Sequence, residues 1–165
     1  MITIEQARKI VLENIHTLKP EISPASSTVI GSILSEDISA DMDSPPFDKA
    51  TMDGFALTLR DLESSPRGLK IGKEISASQG HPVAAESGIA YPIMTGAQIP
   101  LGSDIVIPKE ESFVENGMVR FQQTQPPKGW NIFPKGMEFQ KGQVLVRKGT
   151  RLNAQKMAVL AACGK

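Results

Sequence analysis

Two carboxylates and one hydroxyl are placed where they can do chemistry. Asp48 and Asp53 lie in Ser44-Pro45-Pro46-Phe47-Asp48-Lys49-Ala50-Thr51-Met52-Asp53-Gly54-Phe55-Ala56, and Thr95 lies in Ile93-Met94-Thr95-Gly96-Ala97. An aspartate at an Asp-Gly bend can accept hydrogen bonds from a substrate or help hold a hydrated divalent cation, which prefers carboxylate oxygen. The same group can instead close an Asx-turn on its own backbone. Gly54 offers φ > 0 at that bend, and the double proline before it stiffens the approach. Thr95 beside Gly96 offers a hydroxyl next to backbone that an oxyanion can approach closely. The plainer reading is a strand-ending turn, and the two are compatible. Asp48 is either a second carboxylate on the same rim or a local ion pair with Lys49, which at a surface contributes little.

Other chemistries find no support. His16 and His81 are far apart and Cys163 is the sole cysteine, so no transition-metal site is expected. No Ser-His-Asp or Cys-His arrangement argues for a covalent mechanism. Lys135-Gly136, Lys141-Gly142 and Lys148-Gly149 read as turns, because the Walker spacing is missing. Seven methionines, Met52 and Met94 included, read as core filling. Trp130 fits either an exposed recognition residue or a half-buried ring. Lys plus Arg and Asp plus Glu number 18 each, so no field of one sign favours nucleic acid or an anionic membrane. No apolar run approaches the roughly 20 residues that span a bilayer. A lone cysteine and the lack of a signal-peptide core point to the cytoplasm.

The elements that position these residues follow from patterning. Thr3 and Gln6 have capping-box spacing, and Ala7, Ile10 and Val11 continue a helical stripe, predicting a helix over 3–15. A second short helix is expected to open between Pro24 and Ser27 and to bury Val29, Ile33 and Leu34. Then the period changes. Short apolar runs at 55–57, 69–71, 89–91, 104–107 and 118–121, bounded by Gly, Pro, Ser or Asn, predict a turn-rich β region. Asn116-Gly117 predicts a two-residue hairpin turn. A last strand over 143–146 precedes a helix capped by Asn153. The expected fold class is α+β, mainly β: residues 1–44 with 141–165 form a discontinuous helical and β domain, and 45–140 form a β domain inserted in it.

With those elements placed, the chain resembles the N-terminal region of the molybdopterin molybdenumtransferases, the MoeA and gephyrin E-domain family. Residues 45–56 are similar to the family's P-x-F-D-x-S-A-M-D-G-Y/F-A. Ile93-Met94-Thr95-Gly96-Ala97, with Pro100, Gly102, Asp104 and Val106, is similar to I-M-T-G-A-x-x-P-x-G-x-D-x-V. The resemblance implies a transferase that inserts molybdenum from molybdate into adenylated molybdopterin, with Mg²⁺ as helper, in a homodimer. It implies a cleft between these domains and the pterin-binding domain of the partner subunit. The pterin-binding and C-terminal domains would follow the region seen here, so no cofactor is firmly expected for this chain alone. Asp53 and Thr95 inherit catalytic positions, and Asp48, Gly54, Gly96, Lys135 and Glu138 substrate-binding ones. One loop departs: where the family has G-x-N-I-R-x-x-G-E-D, this chain reads Gly129-Trp130-Asn131-Ile132-Phe133-Pro134-Lys135-Gly136-Met137-Glu138. Phe133 stands for the arginine, and Pro92 stands where a basic residue is common before Met94.

Two functions follow. The chain supplies a cleft wall and dimer contacts to a molybdenumtransferase and does not turn over alone. Alternatively it is a non-catalytic dimerisation or partner-binding module with a degenerate loop.

Overall fold

In the computed structural model, which describes residues 1–78 and 82–165, helix α1 (Ile4–Asn14) opens the chain. Thr3 caps it as expected: its hydroxyl accepts from the Gln6 amide at 3.1 Å, and the Gln6 side chain accepts from the Thr3 amide at 2.9 Å. His81 lies outside the described residues.

The expected second helix does not form. Ser27–Val29 make one 3-10 turn, and Ile33 is exposed. Gly31 takes φ +94°, a left-handed conformation that stops the turn, and the backbone after it bonds to 150–152 instead. Strand β1 (Ile38–Ser39) follows, then β2 (Lys49–Ala50) and β3 (Gly54–Leu57). Helix α2 (Leu59–Ser64) is an addition to the expectation; Thr58 caps it by accepting from the Asp61 amide at 3.0 Å. The chain continues through β4 (Leu69–Ile71), β5 (Ile89–Ile93), β6 (Ile105–Pro108), β7 (Ser112–Glu115), β8 (Met118–Phe121), β9 (Ile132–Phe133) and β10 (Val144–Val146) to helix α3 (Ala154–Ala162). Asn153 caps α3, accepting from the Lys156 amide at 2.9 Å. This is an α+β fold, mainly β.

The chain divides into two compact units, Met1–Ile38 with Leu145–Lys165, and Ser39–Val144. In the first, Ile38, Val146, Leu152 and Leu160 form a small core. Helix α1 buries none of its residues.

In the second unit six strands run in the order β6-β3-β5-β4-β8-β7. Asn116 and Gly117 turn β7 into β8 with φ 52° and 75°, the left-handed pair that such a hairpin needs. The sheet buries both faces. Ala56, Tyr91, Ile93 and Val106 pack with Ile75 and Ile99 on one side; Phe55, Leu57, Ile105 and Ile107 pack with Leu69 and Val119 on the other. Burial on both faces explains why β3 and β6 read as continuous apolar runs instead of alternating ones.

Candidate functional site

Gly54 does not make the left-handed bend that its sequence context offers. It is the first residue of β3, paired with Ile93 in β5 and Pro108 in β6. An added Cβ would lie 2.0 Å from the Ile107 carbonyl oxygen, so glycine is required there for close strand approach. Asp53 is thereby held at the start of β3, between β6 and β5 in the sheet, facing the end of β5.

That end of β5 is where Thr95 sits. Its amide and its hydroxyl both donate to Oδ1 of Asp53, at 2.8 and 2.6 Å. These two bonds, more than any other influence, hold the Asp53 carboxyl below the usual aspartate range; the Lys109 ammonium adds to the effect. The two motif loops, separated by 42 positions, are thus one hydrogen-bonded unit.

Neither loop amide is available to an oxyanion. The Thr95 amide serves Asp53, and the Gly96 amide donates to the Ala50 carbonyl at 2.8 Å. Gly96 takes φ +83° and an added Cβ would meet nothing, so it makes the expected strand-ending turn beside open space. The expected approach of an oxyanion would therefore have to use the open space at Gly96 and the Thr95 hydroxyl, not these amides. Met52 and Met94, expected in the core, are both exposed beside the Asp53–Thr95 pair, because residues 51–53 and 94–95 project past the strand ends.

Glu74 and Lys109 also line this place, and sequence reasoning missed both. A groove of about 230 Å³ is bounded by Asp53, Gly54, Phe55, Glu74, Pro92, Ile93, Met94 and Lys109. The Lys109 ammonium is 3.7 Å from Oδ2 of Asp53, and its amide donates to the Asp53 carbonyl at 3.1 Å. The pairing of Gly54 with Pro108 puts Asp53 and Lys109 side by side, and nothing in the local sequence announces that register.

Asp48, Lys135 and Glu138 form a second cluster. Asp48 Oδ1 accepts from the Lys135 amide at 2.7 Å, and the Lys135 ammonium is 3.3 Å from Oδ2 of Asp43. Glu138 takes the Ser44 hydroxyl at 2.6 Å and the Lys49 ammonium at 3.9 Å. The expected Asp48–Lys49 pair is thus replaced by Lys49–Glu138. Lys49 also lies over the Phe133 ring, 5.1 Å from its centroid. The loop is tied to the first site through Ala50, whose amide donates to the Ala97 carbonyl, and through Thr51, whose amide donates to the Asn131 carbonyl. Trp130 is half-buried, packed against the core that contains Phe55.

The MoeA N-terminal region (domain I and II) matches residues 2–164 of the sequence. The chain belongs to this family. It is 34% identical over 167 residues to a molybdopterin molybdenumtransferase of Haemophilus influenzae, across 99% of this chain and 40% of that protein. A molybdopterin molybdenumtransferase of Bacillus subtilis is 38% identical over 143 residues, 79% of this chain and 32% of its own length. Among solved structures, a molybdopterin biosynthesis MoeA protein from Pyrococcus horikoshii superposes with a TM-score of 0.88 at 33% identity, over 99% of this chain and 42% of that one. The chain spans roughly two-fifths or less of the length of these relatives.

Membership in the MoeA family raises the question of magnesium, which the resemblance implies. Magnesium asks for near-octahedral oxygen at about 2.1 Å, commonly from one or two carboxylates and water. Here Oδ1 of Asp53 already accepts two hydrogen bonds, and Oδ2 faces an ammonium group. Among the described residues no three His, Cys, Asp or Glu side chains are grouped to hold an ion. With both oxygens engaged in this way, Asp53 does not fit a resident magnesium. No helix is long and apolar enough to cross a membrane, among the described residues.

Proposed function

We propose that this chain forms one wall of the active cleft of a molybdopterin molybdenumtransferase, acting in molybdate insertion into adenylated molybdopterin. One observation carries the reading: the Asp53–Thr95 bond pair joins the two matched motifs at one rim beside a groove. Asp53 would orient substrate through Oδ2, since Thr95 fixes Oδ1; Thr95 retains hydroxyl lone pairs for a donor on the substrate. Gly54 admits the close strand packing that aims them. The reading places the protein in the cytoplasm as a homodimer, with the partner subunit's pterin-binding region closing the cleft. The balanced charge of the chain supports a partner other than nucleic acid or an anionic membrane.

The chain is not expected to turn over alone. The test is molybdenum insertion assayed with the protein isolated from its native source, whose intact mass is measured alongside. A mass more than twice the 17.8 kDa of this chain, with activity that falls on Asp53→Ala, supports the reading. Unchanged kcat in Asp53→Ala would sink it.

A second reading, a non-catalytic dimerisation or partner-binding module, is favoured by the third loop. The charges of Lys135 and Glu138 are engaged within the chain, and Phe133 replaces the arginine that could fork onto an oxyanion. A native product near the mass of this chain alone, inactive in the same assay, would favour it.

A further inference from the structure

We propose that Lys109 is a built-in counter-ion for Asp53 that excludes free divalent cations from the groove and so decides what the carboxylate can bind. The proposal rests on the reading of the Asp53 groove as part of the cleft, and it is tested independently of the reaction.

Two observations define the arrangement. The carboxylate has one oxygen left, because Oδ1 is saturated by the amide and hydroxyl of Thr95. The ammonium of Lys109 stands 3.7 Å from that remaining oxygen, Oδ2, where a metal would have to coordinate. The backbone keeps it there. Lys109 follows β6 directly, Pro108 pairs with Gly54, and the Lys109 amide is bonded to the Asp53 carbonyl. Its side chain stays largely exposed, at 62% of its full area, so it can turn aside for a ligand that offers a better partner.

The rest of the groove is consistent with this role. Phe55, Pro92 and Ile93 are apolar, and Glu74 lies on the same rim as Asp53. Without Lys109 the groove would carry two carboxylates and attract a divalent ion. With it, a doubly charged ion at Oδ2 must displace or approach an ammonium 3.7 Å away, a repulsion still felt in a high dielectric. The other lysines near the motif loops do not serve here: Lys49 pairs with Glu138, and Lys135 with Asp43.

The experiment uses manganese(II) as a paramagnetic probe, titrated into the isotopically labelled chain while the Thr95 amide resonance is followed. Selective broadening of that resonance reports an ion at Asp53. In the unaltered chain, Thr95 is expected to broaden no more than amides beside ordinary exposed carboxylates. In Lys109→Met the effect should rise by at least about tenfold. Lys109→Arg, which keeps the charge, should behave as the unaltered chain does. Adding Asp53→Asn to Lys109→Met should abolish the gain. Strong broadening in the unaltered chain, no gain in Lys109→Met, or a gain that survives Asp53→Asn would each overturn the proposal. None of these outcomes depends on whether the parent protein inserts molybdenum.

Discussion

Thr95 gives both its amide and its hydroxyl to a single oxygen of Asp53, at 2.8 and 2.6 Å, and so leaves the other oxygen to face the Lys109 ammonium at 3.7 Å. The bond pair fixes the orientation of an otherwise mobile acid.

Removing the hydroxyl while keeping the shape should show this in the acid's titration. In Thr95→Val the largest cause of the lowered Asp53 pKa is gone, so its midpoint should move up toward the ordinary 3.8. Carboxyl carbon shifts followed against pH provide the measurement. An unmoved midpoint would show that Lys109 or the backbone amide alone sets the value.

The two motif glycines should respond differently to the same change. Gly54→Ala drives a Cβ into the Ile107 carbonyl, and overpacking of this kind should cost about 3 kcal/mol or more. Gly96→Ala meets no atoms but must hold φ +83°, for a cost of about 1–2 kcal/mol. Urea unfolding of both variants against the parent chain tests the ranking.

Asp61 predicts how stability depends on acid. It is buried, which opposes its ionisation, but the hydroxyls of Ser87 and Thr58, at 2.7 and 2.8 Å, and the Gly88 amide outweigh that and lower its pKa. A carboxyl with a lowered folded pKa stabilises fully above its unfolded value of 3.8 and loses that contribution as pH falls through the folded one. Asp61→Asn should therefore cost about 1–3 kcal/mol at neutral pH, and the gap to the parent chain should close progressively below pH 3.8. Denaturant midpoints measured from about pH 7 down to about pH 2.5 check it. A gap that widens on acidification would contradict it.

Anion binding by the isolated chain should be weak. Each charge-assisted bond to an oxyanion contributes about 1.5–3 kcal/mol, and here Phe133 offers none while Lys135 is 3.3 Å from Asp43. Calorimetric titration with molybdate or tungstate is expected to show no micromolar binding.

Self-association should depend on helix α1. Ile4, Ile10, Val11 and Leu12 are exposed on it, an apolar surface of the kind that marks an interface. Sedimentation at rising concentration should show dimers, and Val11→Glu should weaken them. A strict monomer at high concentration would count against the homodimer.

Much of the fold was legible because it is local. A capping box needs only Thr3 and Gln6 at the right spacing, and the β7–β8 hairpin needs only Asn116-Gly117 between apolar pairs. Asn153 announced α3 in the same way. Helix α2 was missed because Leu59 to Ser64 is a single short turn-and-a-half, whose Thr58 cap has no long apolar stripe behind it. The helix expected after Pro24 failed because Gly31 and the backbone of 150–152 compete for it, and that partner lies more than a hundred positions away.

By itself the sequence determined which motifs match the family, which polar side chains those motifs carry, and that short strands separated by turns must present them. Residue type and near-neighbour spacing suffice for that, since caps, turns and strand periods are set within a few residues. Tertiary structure alone decided who meets whom. It made Gly54 a point of strand contact, not a bend, turned Lys49 toward Glu138, set Lys109 against Asp53, and left Met52 and Met94 in the open. The reason is register: which residue faces which across paired strands depends on how a whole sheet packs, and no single segment contains that information.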